Sequence, residues 1–131
     1  YRRRYNKTMA YGLIILYRLH QQHGFDKWFK MNEEITKLNI PSSNIEYSKN
    51  GYWDLMEQRG NSETTKKTSG LWRITNKGID FLLGHIQIEA ILWIFNNKAR
   101  RKSIEKISYK DALDVKFNYE KLMNEFNTEK V

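Results

Sequence analysis

The chain has 131 residues, with 23 Lys and Arg against 15 Asp and Glu, so its formal net charge is +8. Hydrophobic residues make up 40% of it, which is enough for the core of a single domain and too many for a disordered chain. The absence of Cys excludes disulfide scaffolds, thiolate zinc sites and Cys nucleophiles, and the apolar run at residues 9–17 is about half of the ~20 residues that span a bilayer.

The basic start YRRRYNKT leads into a helix-like segment without a small-residue cleavage site, which is not the pattern of a secretory signal. Because the sequence begins at Tyr1 rather than at methionine, we expect that a leader or flexible start precedes it. The absence of Cys and of a secretory pattern favours a reducing compartment, so we expect a cytoplasmic protein with no membrane partner. The usual partner of such a basic surface is a polyanion.

The positive charge is unevenly distributed along the chain. Residues 1–30 carry seven cations and one anion, whereas residues 31–60 carry three cations and five anions. Further cations cluster at Lys66 and Lys67 and in the run KARRK at residues 98–102. Each run is either a nucleic-acid contact or an ordinary solvated face, and composition leaves both interpretations open.

The first predicted element is a helix at residues 9–20, with Thr8 or Asn6 as its N-cap and Gly24 beyond its end. Its apolar residues form two adjoining stripes: Met9, Leu13, Leu16 and His20 in one, and Ala10, Ile14 and Tyr17 in the other. Such a broad apolar surface predicts burial either at the centre of a small domain or in the seam of a homodimer.

Residues 27–31 predict a short strand, after which Asn32 caps a brief second helix. The sequence Ser-Asn-Ile-Glu at residues 43–46 is a capping box, so we predict a third helix from Asn44, with Ile45, Tyr52 and Met56 on its inner side. Gly51 weakens the far half of this helix.

The next segment predicts two strands around a polar loop. The first strand lies at residues 55–59, the loop reads NSETTKKTSG at residues 61–70, and the second strand lies at residues 71–74. Thr75 then caps a fourth helix.

The last third of the chain predicts a β-hairpin and a helical end. Residues 86–95 are rich in Ile and aromatic residues, Asn96 and Asn97 suit a tight turn, and residues 101–108 supply the return strand. A short helix is predicted at residues 108–113 and a final helix at residues 119–126. Core packing is favoured over ligand stacking for all four tryptophans, which are Trp28, Trp53, Trp72 and Trp93.

The order of these elements is that of a winged helix-turn-helix domain. The sequence LWRITNKGIDFLL at residues 71–83 resembles the wing exit of MarR- and PadR-type proteins, and YWDLMEQRG at residues 52–60 resembles their passage from the recognition helix into the wing. The whole chain, including FNNKARRKSIEKISYKDAL at residues 95–113 and FNYEKLM at residues 117–123, also resembles a group of small bacterial and bacteriophage proteins with a winged-helix front and a β-hairpin tail. The resemblance implies an α+β fold with a basic N-terminal arm at residues 1–7, a winged-helix domain at residues 8–84, and a β-hairpin with a C-terminal helical extension at residues 85–131.

The resemblance also implies where nucleic acid would bind. The front of the third helix would face a DNA groove, the wing lysines would contact phosphates, and a flexible arginine arm would follow the backbone. The residues concerned are Ser43, Asn44, Tyr47, Lys49 and Asn50 on the third helix, Lys66 and Lys67 on the wing, and Arg2, Arg3 and Arg4 on the arm.

Two basic runs have interpretations that do not depend on the resemblance. Arg100 and Arg101 on the hairpin are predicted phosphate contacts, although a charged hairpin can also serve only to prevent edge pairing. The sequence YRRRY at residues 1–5 could stack on unpaired bases, or it could be a frayed end.

We therefore expect a nucleic-acid-binding protein in transcription regulation or a phage accessory role, with double-stranded DNA favoured over RNA. Its expected location is the cytoplasm of a bacterium or of a phage-infected host cell. The third helix carries Glu46 and a single cation, Lys49, which favours gripping of phosphates over reading of bases. The alternative is an interaction module that docks its winged helix on a partner protein, supported by the acidic third helix and the apolar first helix.

No catalytic residue, metal site or cofactor is expected. The sequence has no Gly-rich phosphate loop, no HExxH and no nucleophile elbow, so an enzyme is not predicted. His20 and His23 have a spacing that could bring two imidazoles to a metal near Asp26, but zinc needs three or four ligands. A helix-end pair of histidines is the favoured interpretation.

Overall fold

The described part of the chain combines three helices with eight short strands, which confirms the predicted α+β class. The computed structural model describes residues 1–31, 48–49, 51–60, 68–96 and 98–113. None of the helices in these ranges is long and apolar enough to cross a membrane. In chain order the elements are β1 (Arg2–Arg4), α1 (Lys7–His23), β2 (Phe29–Lys30), β3 (Met56–Gly60), β4 (Thr68–Ile74), α2 (Asn76–Leu82), β5 (Ile88–Glu89), β6 (Ile91–Phe95), β7 (Lys98–Lys102), β8 (Lys106–Ile107) and α3 (Tyr109–Ala112).

The strands form three antiparallel sheets. In the first sheet β6 lies between β1 and β7, in the second β4 lies between β2 and β3, and in the third β5 pairs with β8. The first sheet therefore joins the start of the chain to the hairpin.

The helix α1 extends beyond the predicted helix at both ends. Asn6 rather than Thr8 is its N-cap, since the Asn6 Oδ1 accepts a hydrogen bond from the Met9 N–H at 3.0 Å. Gly24 ends it with a φ of 116°, and its N–H donates to the His20 carbonyl at 2.8 Å.

Both apolar stripes of α1 are largely buried within this single chain, where the helix contacts β4, α2 and α3. Of the two predicted modes of burial, the structure therefore has the first, at the centre of a small domain. The apolar surface that suggested a homodimer is thus covered by the chain itself, and a homodimer through this helix stays a prediction.

The second sheet contains the two strands predicted around the polar loop. β3 and β4 pair in antiparallel register, and β2, within the strand predicted at residues 27–31, pairs along the other edge of β4 with Phe29 opposite Trp72. The loop residues 61–67, which include Lys66 and Lys67, lie outside the described residues.

Thr75 caps α2 as predicted. Its Oγ1 accepts from the Gly78 N–H at 3.0 Å and donates to the Asp54 carbonyl at 2.6 Å. A Cβ added at Gly78 would overlap the carbonyl oxygen of Leu55. The Thr-x-x-Gly sequence therefore supplies both a cap and a close contact between α2 and the segment before β3.

The predicted second helix, most of the predicted third helix and the predicted C-terminal helix lie outside the described residues. Gly51 and Asp54 have positive φ angles of 91° and 59°, and Met56 begins β3. The prediction that Tyr52 and Met56 form the inner side of a helix is wrong, because left-handed backbone on either side of Tyr52 ends any helical run there.

The hairpin forms as predicted, with Asn96 at a φ of 50°, but its return strand is displaced. The predicted strand at residues 101–108 is wrong, because β7 ends at Lys102 and β8 is separate. The Ser103 N–H still donates to the Ile91 carbonyl at 2.9 Å, but the Ile91 N–H donates to the Ser103 hydroxyl at 3.0 Å instead of to a backbone carbonyl. The same hydroxyl donates to the Glu105 carbonyl at 2.8 Å, so a side chain takes one place in the backbone ladder at this point. Ser108 then opens α3 with a capping box to Asp111, within the predicted short helix.

One hydrophobic cluster extends from Tyr5 to Leu113. The fully buried Trp53 contributes to it, and its Nε1 donates to the Glu89 carbonyl at 2.7 Å. This hydrogen bond joins the predicted segment 8–84 to the predicted segment 85–131, so the two share a core.

Candidate nucleic-acid interface

The start of the chain forms a paired strand instead of the predicted flexible arm. The three arginines of β1 pair with β6, and backbone hydrogen bonds hold the strand at both ends. The Ile94 N–H donates to the Tyr1 carbonyl at 2.7 Å, and the Tyr5 N–H donates to the Ala90 carbonyl at 2.9 Å. The prediction of a flexible arm is wrong. The sequence RRR has no apolar alternation that would predict a strand, but its backbone forms hydrogen bonds with the edge of β6.

Tyr5 fixes the end of β1 in the core. Its ring packs edge-on against Trp53 at 5.3 Å and against Phe81 at 5.6 Å between centroids. Burial raises the pKa of the Tyr5 hydroxyl, and the Ser48 hydroxyl opposes this in part. Tyr5 is therefore a neutral buried group that positions the three arginines, and of the two tyrosines in YRRRY only Tyr1 is exposed.

The side chains of the central strand β6 alternate between the two sides of the sheet. Leu92 and Ile94 are buried on one side. On the other side Ile91 is buried, Trp93 is half-buried and Phe95 is 66% exposed, so exposure increases toward the hairpin turn. Because side chains alternate along a strand, Trp93 and Phe95 lie on the same outer side of the sheet.

The predicted core packing of tryptophan is confirmed for Trp53 and Trp72, which are buried. Trp28 and Trp93 are only half-buried, so for these two the prediction holds in part. Phe95 was not predicted as a site residue, since residues 91–95 are all apolar and no alternation separates their faces. In the sequence, the basic residues at 98–102 are the only indication that one side of this sheet is exposed to solvent.

The strand β7 places cations directly beside these aromatic rings. Arg101 lies opposite Trp93, with its guanidinium carbon 4.4 Å from the ring centroid, and Lys98 lies opposite Phe95. The register shifts between Trp93 and Ile94, so Arg100 is an extra residue beside Arg101. Such a β-bulge sets two residues of one strand against one residue of the other.

The strand β1 supplies cations on the other side of β6, where Arg2 is also a register partner of Trp93. We define the outer face as the two aromatic residues of β6, which are Trp93 and Phe95, together with the cations on the same side of the sheet. These are Arg2 and Arg101 opposite Trp93, Lys98 opposite Phe95, and Arg4 opposite Ile91. The strands β1 and β7 contribute three and four cations, so the sheet carries seven, and none of its strand residues is acidic.

An acidic side chain, that of Glu105, lies near this sheet at the last residue of β1. The Arg4 Nη2 lies 3.9 Å from the Glu105 Oε2, and both side chains are more than half exposed. Exposed pairs of this kind contribute little energy, so Arg4 stays available to a phosphate and the sheet keeps its positive potential.

The structure brings together five of the predicted site residues, on the two edge strands of one sheet: Arg2, Arg3, Arg4, Arg100 and Arg101. Lys49 lies in the turn before β3, where its ammonium is 5.9 Å from the Tyr52 ring centroid. The remaining predicted residues lie outside the described residues, and they are Ser43, Asn44, Tyr47, Asn50, Lys66 and Lys67.

His20 makes backbone contacts through both of its ring nitrogens. Nδ1 donates to the Gly24 carbonyl at 2.9 Å, and Nε2 accepts from the Ile74 N–H at 3.0 Å. Burial lowers the pKa of His20, and the Gly24 carbonyl opposes this shift in part. His20 is thus a structural group, and across the described residues no three His, Asp or Glu side chains are grouped to hold a metal.

Comparison with known proteins gave no match to a family model, to a curated protein or to a solved structure. A function for this chain is therefore inferred from the outer face and from the chemistry that its side chains support.

Proposed function

We propose that this protein binds nucleic acid, with DNA as the expected partner, and that the β1–β6–β7 sheet contacts its phosphates. The observation that carries the proposal is the set of seven cations on adjoining strands that hold no acidic residue. Arg and Lys contacts to phosphate fix the position of a protein on nucleic acid without reading its sequence. Gripping of this kind suits a regulatory or phage accessory protein that acts in the cytoplasm.

We also propose a winged-helix arrangement for residues 8–84. It is supported by the addition of β2 along β4, by the pairing of β3 with β4 on either side of residues 61–67, and by the Thr75 cap that opens α2. In this arrangement Lys66 and Lys67 lie on the wing and contribute further phosphate contacts.

The alternative function, docking on a partner protein, had two supports in the sequence. The apolar stripes of α1 are now accounted for by the core of the chain itself. The acidic third helix lies largely outside the described residues. No contact in the described part of the chain favours protein docking over nucleic-acid binding.

Salt dependence tests the proposal directly. The dissociation constant for a labelled 20-base-pair duplex would be measured by fluorescence anisotropy between about 50 and 200 mM NaCl. If about four phosphates are neutralised, the affinity should fall on the order of a hundredfold over this range, because each contact releases condensed counterions. Affinity that barely changes with salt contradicts the proposal, and so does a lack of binding at low salt both to this duplex and to a single strand of the same length.

Charge reversal locates the contacts. The double substitution Arg100→Glu and Arg101→Glu should weaken binding by about tenfold or more, since it removes two phosphate contacts and adds repulsion. The matched control is Lys27→Glu with Lys110→Glu, which changes the net charge equally at exposed sites outside the sheet. Equal losses in the two variants would show that total charge, and not this sheet, determines binding. The pair Lys66→Glu and Lys67→Glu tests the wing in the same assay.

A further inference from the structure

We propose that the outer face of the β1–β6–β7 sheet binds a single-stranded nucleic acid. Its unpaired bases stack on Phe95 and on the Arg101 guanidinium that lies over the Trp93 ring, while the neighbouring cations hold its phosphates. The inference rests on the proposed function and specifies its ligand. Cations alone would grip a duplex and a single strand alike, so the two aromatic rings carry the distinction.

The spacing of the two rings requires unpaired bases. Trp93 and Phe95 are two residues apart on one strand, and at ~3.4 Å per residue their attachment points are about 7 Å apart. Bases in a duplex strand rise by only ~3.4 Å and cover one another's faces. Two successive bases can therefore stack at these two positions, on Phe95 and on the Arg101–Trp93 pair, only after they have separated from each other and from a complementary strand.

The exposure of Phe95 is explained by such a ligand. A phenyl ring that is 66% exposed contributes little to the core, and it lies opposite a lysine rather than another apolar residue. A base stacked on the ring would remove it from water, and every base offers a flat apolar face for this purpose. Lys98 is in position to meet the phosphate of the same nucleotide.

Trp93 already carries a flat cation. The Arg101 guanidinium lies over its ring at 4.4 Å, and a guanidinium plane is itself a surface on which an unpaired base can stack. Arg2 flanks the same tryptophan from β1, so a base at this position has a cation on each side. The row Arg2, Trp93 and Arg101 thus combines stacking and charge across all three strands.

Binding of three 15-unit ligands by the intact protein tests the inference: oligo(dT), oligo(rU) and a mixed-sequence DNA duplex, each end-labelled for fluorescence anisotropy at about 100 mM NaCl. We expect at least one single strand to bind more tightly than the duplex. Tighter binding of oligo(dT) identifies single-stranded DNA as the ligand, and tighter binding of oligo(rU) identifies RNA.

Substitution of the two aromatic residues is the second test. Phe95→Ala should lower the ratio of single-strand to duplex affinity about tenfold, which corresponds to the loss of one stacked base. Trp93→Leu should also lower this ratio, and the leucine keeps an apolar side chain at this half-buried position. Phe95→Trp should restore the ratio, because it returns an aromatic face. The matched control is Phe25→Ala, which removes another exposed phenylalanine at a position outside this sheet.

The outcomes separate this inference from the function on which it rests. If none of the three ligands binds at low salt, the proposed function is wrong and the inference falls with it. If the duplex binds with strong salt dependence, but the single strands bind no better and Phe95→Ala behaves as Phe25→Ala does, the proposed function stands and the inference is overturned.

Discussion

At the scale of single residues, His20 explains how the end of α1 is held. Its ring stacks on Phe25, with 5.3 Å between centroids, and meets Phe29 edge-on at 4.9 Å. Its two nitrogens bind the backbone at Gly24 and at Ile74, so one imidazole connects the helix to the last residue of β4. This arrangement requires the neutral ring, because Nε2 must accept a hydrogen bond.

We therefore expect stability to depend on pH through His20. Burial lowers its pKa in the folded chain, so the unfolded chain binds a proton more readily. The contribution of His20 is complete above the ordinary histidine pKa of about 6.5 and declines as the pH falls below it. Urea unfolding should give a lower free energy of unfolding at pH 5.5 than at pH 7.5 in the wild type. The control His23→Gln, at an exposed site, should show the same decrease. The expectation fails if His20→Gln shows the same pH dependence as the wild type.

At the scale of elements, the contact between α2 and the segment before β3 depends on a missing side chain. Gly78 lies one turn into α2, where its N–H is capped by Thr75, and the Leu55 carbonyl oxygen occupies the space that a Cβ would need. The Thr-x-x-Gly sequence, which resembles the wing exit of MarR- and PadR-type proteins, has a steric reason in this chain.

Gly78→Ala should accordingly be destabilising, although alanine favours helices elsewhere. The added Cβ forces the helix and the Leu55 backbone apart, and overpacking of this kind costs about 1–3 kcal/mol. Chemical denaturation monitored by circular dichroism measures the change. Gly70→Ala is the control, since nothing lies within 4 Å of a Cβ at that position. Equal stability of the Gly78→Ala variant and the wild type would contradict the prediction.

Elements with strong local signals could be predicted from the sequence, and elements made by distant partners could not. The Thr75 and Ser108 caps, the β3–β4 pair and the turn at Asn96 all depend on residues close together in the chain. The strand β1 depends on β6, far away in sequence, and its three arginines give no apolar pattern. The break after β7 depends on the side chain of Ser103, whose competition with the backbone ladder has no signature in a hydrophobicity pattern.

The candidate site was predictable to a similar degree. The cations at Arg100 and Arg101 follow from composition, and so do the three arginines at the start of the chain. Their meeting on one sheet and the outward position of Phe95 follow only from the pairing register. The sequence thus indicates a polyanion as partner, whereas the fold is needed to propose which form of it binds.

At the scale of the whole molecule, one core implies one cooperative unfolding transition. Tyr5 belongs to this core and also ends β1, so its ring links the basic sheet to the buried tryptophan Trp53. Folding of the predicted N-terminal, winged-helix and hairpin segments should therefore be coupled.

Tyr5→Ala tests this coupling. Loss of a fully buried aromatic ring should lower the free energy of unfolding by about 3–5 kcal/mol. Thermal unfolding followed by tryptophan fluorescence and by far-ultraviolet circular dichroism should give coincident transitions, in the variant as in the wild type. Tyr5→Phe keeps the ring and is expected to change stability far less. Two separate transitions in the wild type would show that the segments fold independently.

The pairing of β1 also determines where any polypeptide joined to Tyr1 would lie relative to the basic sheet. Because β1 runs antiparallel to β6, with the Tyr1 carbonyl bound to the Ile94 N–H, the chain leaves the sheet from Tyr1 toward the hairpin turn at Asn96. A polypeptide joined to Tyr1, whether a natural extension or a purification tag, therefore emerges beside Phe95. A polyhistidine tag at this end would compete with or imitate the very contacts to be measured, so binding assays need a protein with a free amino terminus.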